Sequence, residues 1–152
     1  MNVHRKKCFT RLWMVSLLAA LSLVMLSAPS YAVTVGEKYG GGVVFSVDGT
    51  GEHGLIAAPI DYSTEMDWQT ALDQCKELEF EGFHDWFLPN REQLNLLYLN
   101  KNVVGSFSES NHYYWSSSAF DDENGWFQYF ANGQQMYYSK YYYSRVRAIR
   151  AF

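Results

Sequence analysis

Thirteen aromatic side chains fall within the thirty-one residues that run from Tyr113 to Tyr143: Tyr113, Tyr114, Trp115, Phe120, Trp126, Phe127, Tyr129, Phe130, Tyr137, Tyr138, Tyr141, Tyr142 and Tyr143. A chain of 152 residues encloses only part of that ring area in one core. Aromatic residues fit a pleated, half-buried surface, so this tail is expected to be sheet, with the surplus rings on an outer face or in a groove. Such a surface points to contact with a partner rather than to a reaction. No complete catalytic constellation accompanies the rings.

The opposite end of the chain has a different character. His4, Arg5, Lys6, Lys7 and Arg11 form a basic start, Leu12 to Leu26 is an apolar run broken only by serines, and Ser30-Tyr31-Ala32 offers a signal-peptidase site after Pro29. A run of fifteen residues falls short of the roughly 20 needed to span a bilayer. Residues 1–32 are therefore expected to be a cleaved signal peptide, and residues 33–152 a single exported domain without a membrane span; an uncleaved anchor is the alternative. Cys8 precedes the apolar run and is not placed to carry lipid.

With that leader go four Lys/Arg and no Asp/Glu, leaving eight basic residues against sixteen acidic ones, a net charge of −8. This balance argues against broad electrostatic binding to nucleic acid or anionic membrane. Half of the remaining basic residues, Lys140, Arg145, Arg147 and Arg150, lie in the last thirteen positions. Cys75 becomes the one remaining cysteine, and it falls in register with Trp68, Ala71, Leu72 and Leu78 on an apolar helical stripe, which makes it a buried residue rather than a nucleophile.

Turn and cap signals divide the domain. After Gly40-Gly41-Gly42, Val43 to Val47 and Leu55 to Ile60 are expected to form a hairpin around Asp48-Gly49-Thr50-Gly51. A first helix should start at a cap within Ser63 to Asp67 and stop before Gly82. A second should start after Pro89 at Asn90, with Gln93 completing a capping box and Leu94, Leu97 and Tyr98 on its apolar face. Trp126 to Phe130 and Gln134 to Ser139 flank the turn dipeptide Asn132-Gly133. A last strand is expected over about Ser144 to Phe152, with Val146, Ala148, Arg150 and Phe152 on one face and Arg145, Arg147, Ile149 and Ala151 on the other. Arginines on covered faces need oxygen partners, so Arg147 and Arg150 are expected to be internal struts paired with Asp or Glu.

The ordered blocks Gly41-Gly42-Val43-Val44-Phe45, Gly51-Glu52-His53-Gly54-Leu55-Ile56-Ala57-Ala58, Trp68 with Ala71 and Cys75, Asp85-Trp86-Phe87-Leu88-Pro89-Asn90, Tyr114-Trp115-Ser116-Ser117-Ser118, Trp126 with Phe130 and Gly133, and Arg147-Ala148-Ile149-Arg150 resemble the Lcl C-terminal domain family. The resemblance implies an α+β domain of C-type-lectin-like architecture, two helices packed on a twisted antiparallel β-sheet. It also implies an exported bacterial protein. The best-known member of that family supplies the adhesive tip of a collagen-like surface protein and binds sulfated glycosaminoglycans. This chain departs from that member: it has no Gly-X-Y run to impose a trimer, and its negative charge opposes a heavily sulfated polymer. Relatives often carry a cysteine where Ala148 stands, which implies a pairing with Cys75 that is lost here.

Within this frame the candidate ligand-binding residues are Lys140, Tyr141, Tyr142, Tyr143 and Arg145: consecutive strand residues face opposite ways, so at least one tyrosine stays outside, flanked by cations. Trp68, Cys75, Trp86, Pro89, Asn90, Trp115, Trp126, Arg147 and Arg150 are read as structural, with Trp126 in the core. Leu88-Pro89-Asn90 lacks the carboxylates of a calcium-dependent sugar site, and His53 and His84, beside Glu52 and Asp85, lack a third ligand, so no metal or cofactor is expected. Ser116, Ser117 and Ser118 lack a nucleophile elbow and are read as a turn after Trp115. Asp121-Asp122-Glu123 is read as a solvated hairpin loop. The leading expectation is a noncatalytic recognition domain for a glycan or another exported protein. Its alternatives are an enzyme related to the formylglycine-generating fold, which a single Cys75 does not support, and an envelope module that assembles through its tyrosine-rich strand.

Overall fold

Val43-Val44-Phe45-Ser46-Val47 is strand-forming sequence that follows three glycines, and in the computed structural model, which describes residues 32–108 and 113–152, those glycines turn the chain from a short strand β1 (Lys38–Tyr39) into β2 (Gly42–Val47). Gly40 and Gly41 have φ of +55° and +84°, conformations that favour residues without a side chain. Gly42 is required for a separate reason: a Cβ there would lie 2.1 Å from the Ala57 carbonyl oxygen across the sheet. β2 pairs antiparallel with β3 (Gly54–Ala57), Val44 opposite Ile56, with an irregularity between Val44 and Ser46. Their connection is held by the Asp48 carboxylate, which accepts from Thr50 N (3.0 Å), Thr50 Oγ1 (2.7 Å) and Gly51 N (2.8 Å). The leader proposed for residues 1–32 lies almost wholly outside the described residues; Tyr31–Phe152 is one compact unit.

The first helix, α1 (Trp68–Glu77), begins where a short polar side chain is available, with Thr70 N donating to Asp67 Oδ1 at 3.0 Å. The second, α2 (Arg91–Leu99), has the reciprocal cap expected from Asn90 and Gln93: Gln93 N donates to Asn90 Oδ1 (2.8 Å) and Asn90 N to Gln93 Oε1 (2.9 Å). Together these bonds satisfy backbone donors that a helix start otherwise leaves open. A one-turn helix α3 (Lys101–Val104), not expected as a separate element, follows at once. Among the described residues no helix is long and apolar enough to cross a membrane.

The aromatic tail forms a second antiparallel sheet in the order β4 (Tyr113–Ala119), β5 (Asn124–Tyr129), β6 (Gln135–Ser139), while the first sheet has the order β1-β2-β3-β7, with β7 at Ile149–Ala151. The fold is thus α+β, with two sheets in place of the one expected. Ser116 to Ser118 do not form a turn. They continue β4 through an irregular stretch, because Ser116 Oγ donates to Trp126 O (2.8 Å) and Ser118 Oγ accepts from Arg91 N (3.0 Å), partners that hold a locally disturbed ladder in place. The last strand is also shorter than expected: only Ile149–Ala151 pairs regularly, with β3.

Residues 144–148 instead run between the sheets, stitched on both sides. Met66 and Ser144 exchange bonds of 3.0 Å, Tyr62 N donates to Val146 O and Ala58 N to Ala148 O, while Arg145 N donates to Tyr113 O and Trp115 N to Arg145 O. Both faces of this segment are covered. Val146 and Ala148 belong to a cluster with Val44, Ile56, Cys75, Trp86, Trp115 and Phe127, and Ile149 to a second with Phe45, Leu94, Leu97, Tyr114 and Phe130.

Arg147 lies in the middle of this segment with its side chain fully covered. Its Nε donates to Asp61 Oδ1 (2.6 Å), one terminal nitrogen to Ala58 O (2.9 Å) and the other to Ser106 O (2.6 Å), and the guanidinium carbon sits 4.0 Å from the Phe107 ring centroid. Burial lowers its pKa from the usual arginine value, opposed by Asp61. Tyr114 Oη donates to the other Asp61 oxygen and accepts from Ser108 N, and burial pushes that phenol upward. Arg150 is the second strut, gripping Asp85 through Nε (2.7 Å) and a terminal nitrogen (2.9 Å), an interaction that holds Asp85 below the ordinary carboxylate value. Removing one member of a buried ion pair strands the other, so Asp61→Asn is expected to cost about 3–5 kcal/mol in denaturant unfolding; the more exposed Asp85→Asn should cost less.

Candidate functional site

Period-two alternation in β4, β5 and β6 sorts the rings onto two faces of the second sheet. One face carries Tyr113, Trp115, Gly125, Phe127, Tyr129, Met136 and Tyr138, as the pairings Tyr113↔Tyr129, Trp115↔Phe127, Phe127↔Met136 and Gly125↔Tyr138 require. At one end this face is covered by Trp68 of α1, which fits because position 125 is glycine: a Cβ there would lie 2.8 Å from the indole. Beyond Trp68 the face is open. Tyr113, Phe127, Met136, Tyr137, Tyr138 and Tyr142 line a groove of about 280 Å³. Ring contacts shape it: Tyr113 meets Phe127 edge-on at 4.6 Å, and Tyr138 meets Tyr142 edge-on at 4.9 Å.

The three tyrosines singled out in the sequence do not sit on a strand. β6 ends at Ser139, and Tyr142 N donates to Ser139 O (2.9 Å) in a turn that fans out the following rings. Tyr141 is 84 % exposed and Tyr143 61 %, whereas Tyr142 is 47 % exposed and folds back onto Tyr138. Only Tyr142 of the three therefore belongs to the groove. Tyr113, Phe127, Met136 and Tyr138, none of them among the expected binding residues, complete it, and their signal was the alternation of β4, β5 and β6 read against one another.

The two neighbouring cations are engaged within the protein. Lys140 Nζ donates to the backbone oxygens of Asp121 (2.9 Å) and Asp122 (3.1 Å) and lies 4.5 Å from the Trp68 ring centroid. Arg145, expected to be available to a ligand, is half-buried with Nε 3.8 Å from Glu65 Oε1. Spacing placed both residues beside the tyrosines; it carried no information about carbonyls and a carboxylate contributed by distant loops. Asp121 itself accepts from Asn124 and Glu123 amides, and the Asn124 side chain is the largest cause holding it below the usual carboxylate value.

On the opposite face, Trp126 is not in the core. It is half-buried beside Phe120 and Tyr137, which stack on each other at 3.7 Å and 3°, and Arg91 covers it with the guanidinium carbon 3.7 Å from the ring centroid. The reason is register: Trp126 pairs with exposed Tyr137, one residue out of phase with buried Phe127. Arg91 Nε donates to Gln135 Oε1 at 2.8 Å, and this arginine at the first position of α2 carried no sequence signal.

The other structural residues occupy interior or capping roles. Trp68 Nε1 donates to Ser116 O (2.8 Å) and Trp115 Nε1 to Met66 O (3.0 Å). Trp86 and Pro89 are buried, and Asn90 caps α2. Cys75 is fully buried in the same cluster as Ala148, and burial pushes its thiol up to about 12. His84 lies 3.8 Å from Glu79 at an exposed site, and among the described residues no three His, Cys, Asp or Glu side chains gather closely enough to hold an ion.

A two-sheet α+β scaffold that buries Arg147 and Arg150 and leaves an aromatic groove open defines a small domain with one partly outward-facing sheet. The chain belongs to the Lcl C-terminal domain family, whose profile matches residues 49–150. No curated protein matches it. Because the Cys75 thiolate is disfavoured by burial, thiol reagents at neutral pH are expected to label native residues 33–152 only at the rate at which they unfold. Ellman titration with and without denaturant measures this.

Proposed function

We propose that this chain is an exported, noncatalytic recognition domain whose ligand, a glycan or another exported protein, lies in the groove between Tyr113, Phe127, Met136, Tyr138 and Tyr142. The observation that carries the reading is that this groove gathers the half-exposed rings of Tyr138 and Tyr142 over a floor of buried Phe127. Tyrosine gives a flat apolar face for a sugar ring or side chain and a hydroxyl for orientation, with little rotamer entropy to lose. With Lys140 and Arg145 tied to internal oxygens, recognition rests on ring faces and hydroxyls rather than on cations, which favours a ligand of low charge. The buried state of Cys75 supports a noncatalytic role. Export rests on the basic start, the apolar run and the cleavage site after Ala32.

A glycan array probed with residues 33–152, with and without chelator, tests the ligand class. Tyr138→Ala and Tyr142→Ala are each expected to weaken binding roughly tenfold, since an aromatic contact contributes about 0.5–1.5 kcal/mol beyond its area, whereas Tyr141→Ala should have little effect. Equal losses in all three variants would move the site to the turn. Mass spectrometry of the protein produced with its leader in a bacterial host is expected to find Val33 at the mature N-terminus; intact protein held in the membrane fraction would instead mean an anchor.

A further inference from the structure

Strand β6 is an edge of the second sheet, and its outer side is unpaired among the described residues. The opposite edge is covered, since Ser117 N donates to Pro89 O (2.8 Å) and Trp115 N to Arg145 O (3.0 Å). The register identifies which groups β6 leaves open. Tyr129 N donates to Gln134 O (2.9 Å) and Lys140 N to Glu123 O (2.8 Å), so even-numbered residues of β6 bond inward to β5. Gln135, Tyr137 and Ser139 then direct both N–H and C=O outward. Ser139 O is taken by Tyr142 N, which leaves Gln135 and Tyr137 with complete outward pairs.

Sheet edges are usually protected by lysine, proline or a bulge. The stretch Gln135-Met136-Tyr137-Tyr138-Ser139 has no charge and no proline, and its pairing with β5 is regular throughout. Tyr137 and Tyr138 are 49 % and 53 % exposed. Lys140, the next cation, is occupied by the Asp121 and Asp122 carbonyls.

The two ends of this edge carry opposite charge on the same face. Beside Gln135 lies Arg91, flat on Trp126, with its two terminal nitrogens making no hydrogen bond among the described residues. Beside the far end, Phe120 stacks on Tyr137 and leads into Asp121-Asp122-Glu123, where the exposed Asp122 and Glu123 carboxylates bond to nothing among the described residues. Antiparallel strands related by a two-fold axis normal to the sheet keep the same face up and run in opposite directions. Such a pairing brings Arg91 of each copy toward the acidic loop of the other.

We propose that β6 pairs antiparallel with β6 of a second copy of this chain. The two-fold axis passes at Met136, Gln135 of each copy lies opposite Tyr137 of the other, and four backbone hydrogen bonds join two three-stranded sheets into one of six strands. α2 packs on β4 and β5 and meets β6 at Gln135, whose side chain bonds Arg91 Nε (2.8 Å) and Arg91 O (2.9 Å). The joined strands are short and the contact is smaller than a standard stable interface, so the dimer dissociates on dilution. The two tyrosine grooves would meet across Met136 on its other face.

Sedimentation of the compact unit Tyr31–Phe152 over a roughly hundredfold concentration range tests this, with the mass expected to rise from one copy toward two and added salt expected to weaken the rise. Tyr137→Pro removes an outward N–H and leaves the β5 ladder intact, so this variant is expected to stay a single copy at every concentration. Hydrogen exchange at the Gln135 and Tyr137 amides of unaltered protein should slow as concentration rises. A single copy at the highest concentration, dimerisation of Tyr137→Pro equal to that of the parent, or exchange at those amides that ignores concentration would each overturn the pairing. Ligand binding by a protein that stays a single copy at every concentration would overturn the pairing while leaving the groove reading intact.

Discussion

The buried Arg147–Asp61 pair is the constraint around which this domain is organised. A guanidinium with no exposed surface is tolerated because three oxygens and an aromatic face replace water: Asp61 Oδ1, the carbonyls of Ala58 and Ser106, and the Phe107 ring, with Tyr114 holding the second Asp61 oxygen. These groups come from the segment after β3, the turn after α3, β4 and the C-terminal segment. Each must arrive in place for the charge to be compensated, so the pair fixes the relative positions of elements far apart in sequence. The C-terminal segment is the central layer because it carries that charge and bonds through its backbone to both sides.

Locking the interior in this way determines what is left outside. Once α1 covers one end of the second sheet and α2 packs on the opposite face, most of the aromatic residues that remain exposed lie along β6 and the turn after it, beside Phe120. The rings there are not scattered singly. Tyr138 rests on Tyr142 and Phe127, and Tyr137 on Phe120 and Trp126, so Tyr137, Tyr138 and Tyr142 are each preorganised by a neighbouring ring. A preordered aromatic surface loses little entropy on meeting a ligand, which is the physical basis for reading it as a contact surface.

Local signals in the chain were informative wherever the determining interaction was itself local. Asn90 and Gln93 lie three residues apart and cap one helix, and the glycines before β2 mark the start of a strand, so both could be read directly. The internal use of Arg147 and Arg150 was also legible, because a cation within an apolar segment has few physical outcomes. Trp126 was misplaced, since alternation gives the phase of a strand only when one buried neighbour is known. Lys140 and Arg145 were read as ligand contacts because the Asp121 carbonyl and the Glu65 carboxylate that engage them are tens of residues away.

By itself the sequence determined the α+β class, the family, the helix starts, and the fact that this much tyrosine and tryptophan exceeds what the interior holds. Only the tertiary structure decided which rings remain outside, that they split between two faces of one sheet, and that the nearby cations serve the fold. The reason is that composition sets how much apolar area a chain carries, while burial of any one side chain depends on register and on partners brought close only by folding.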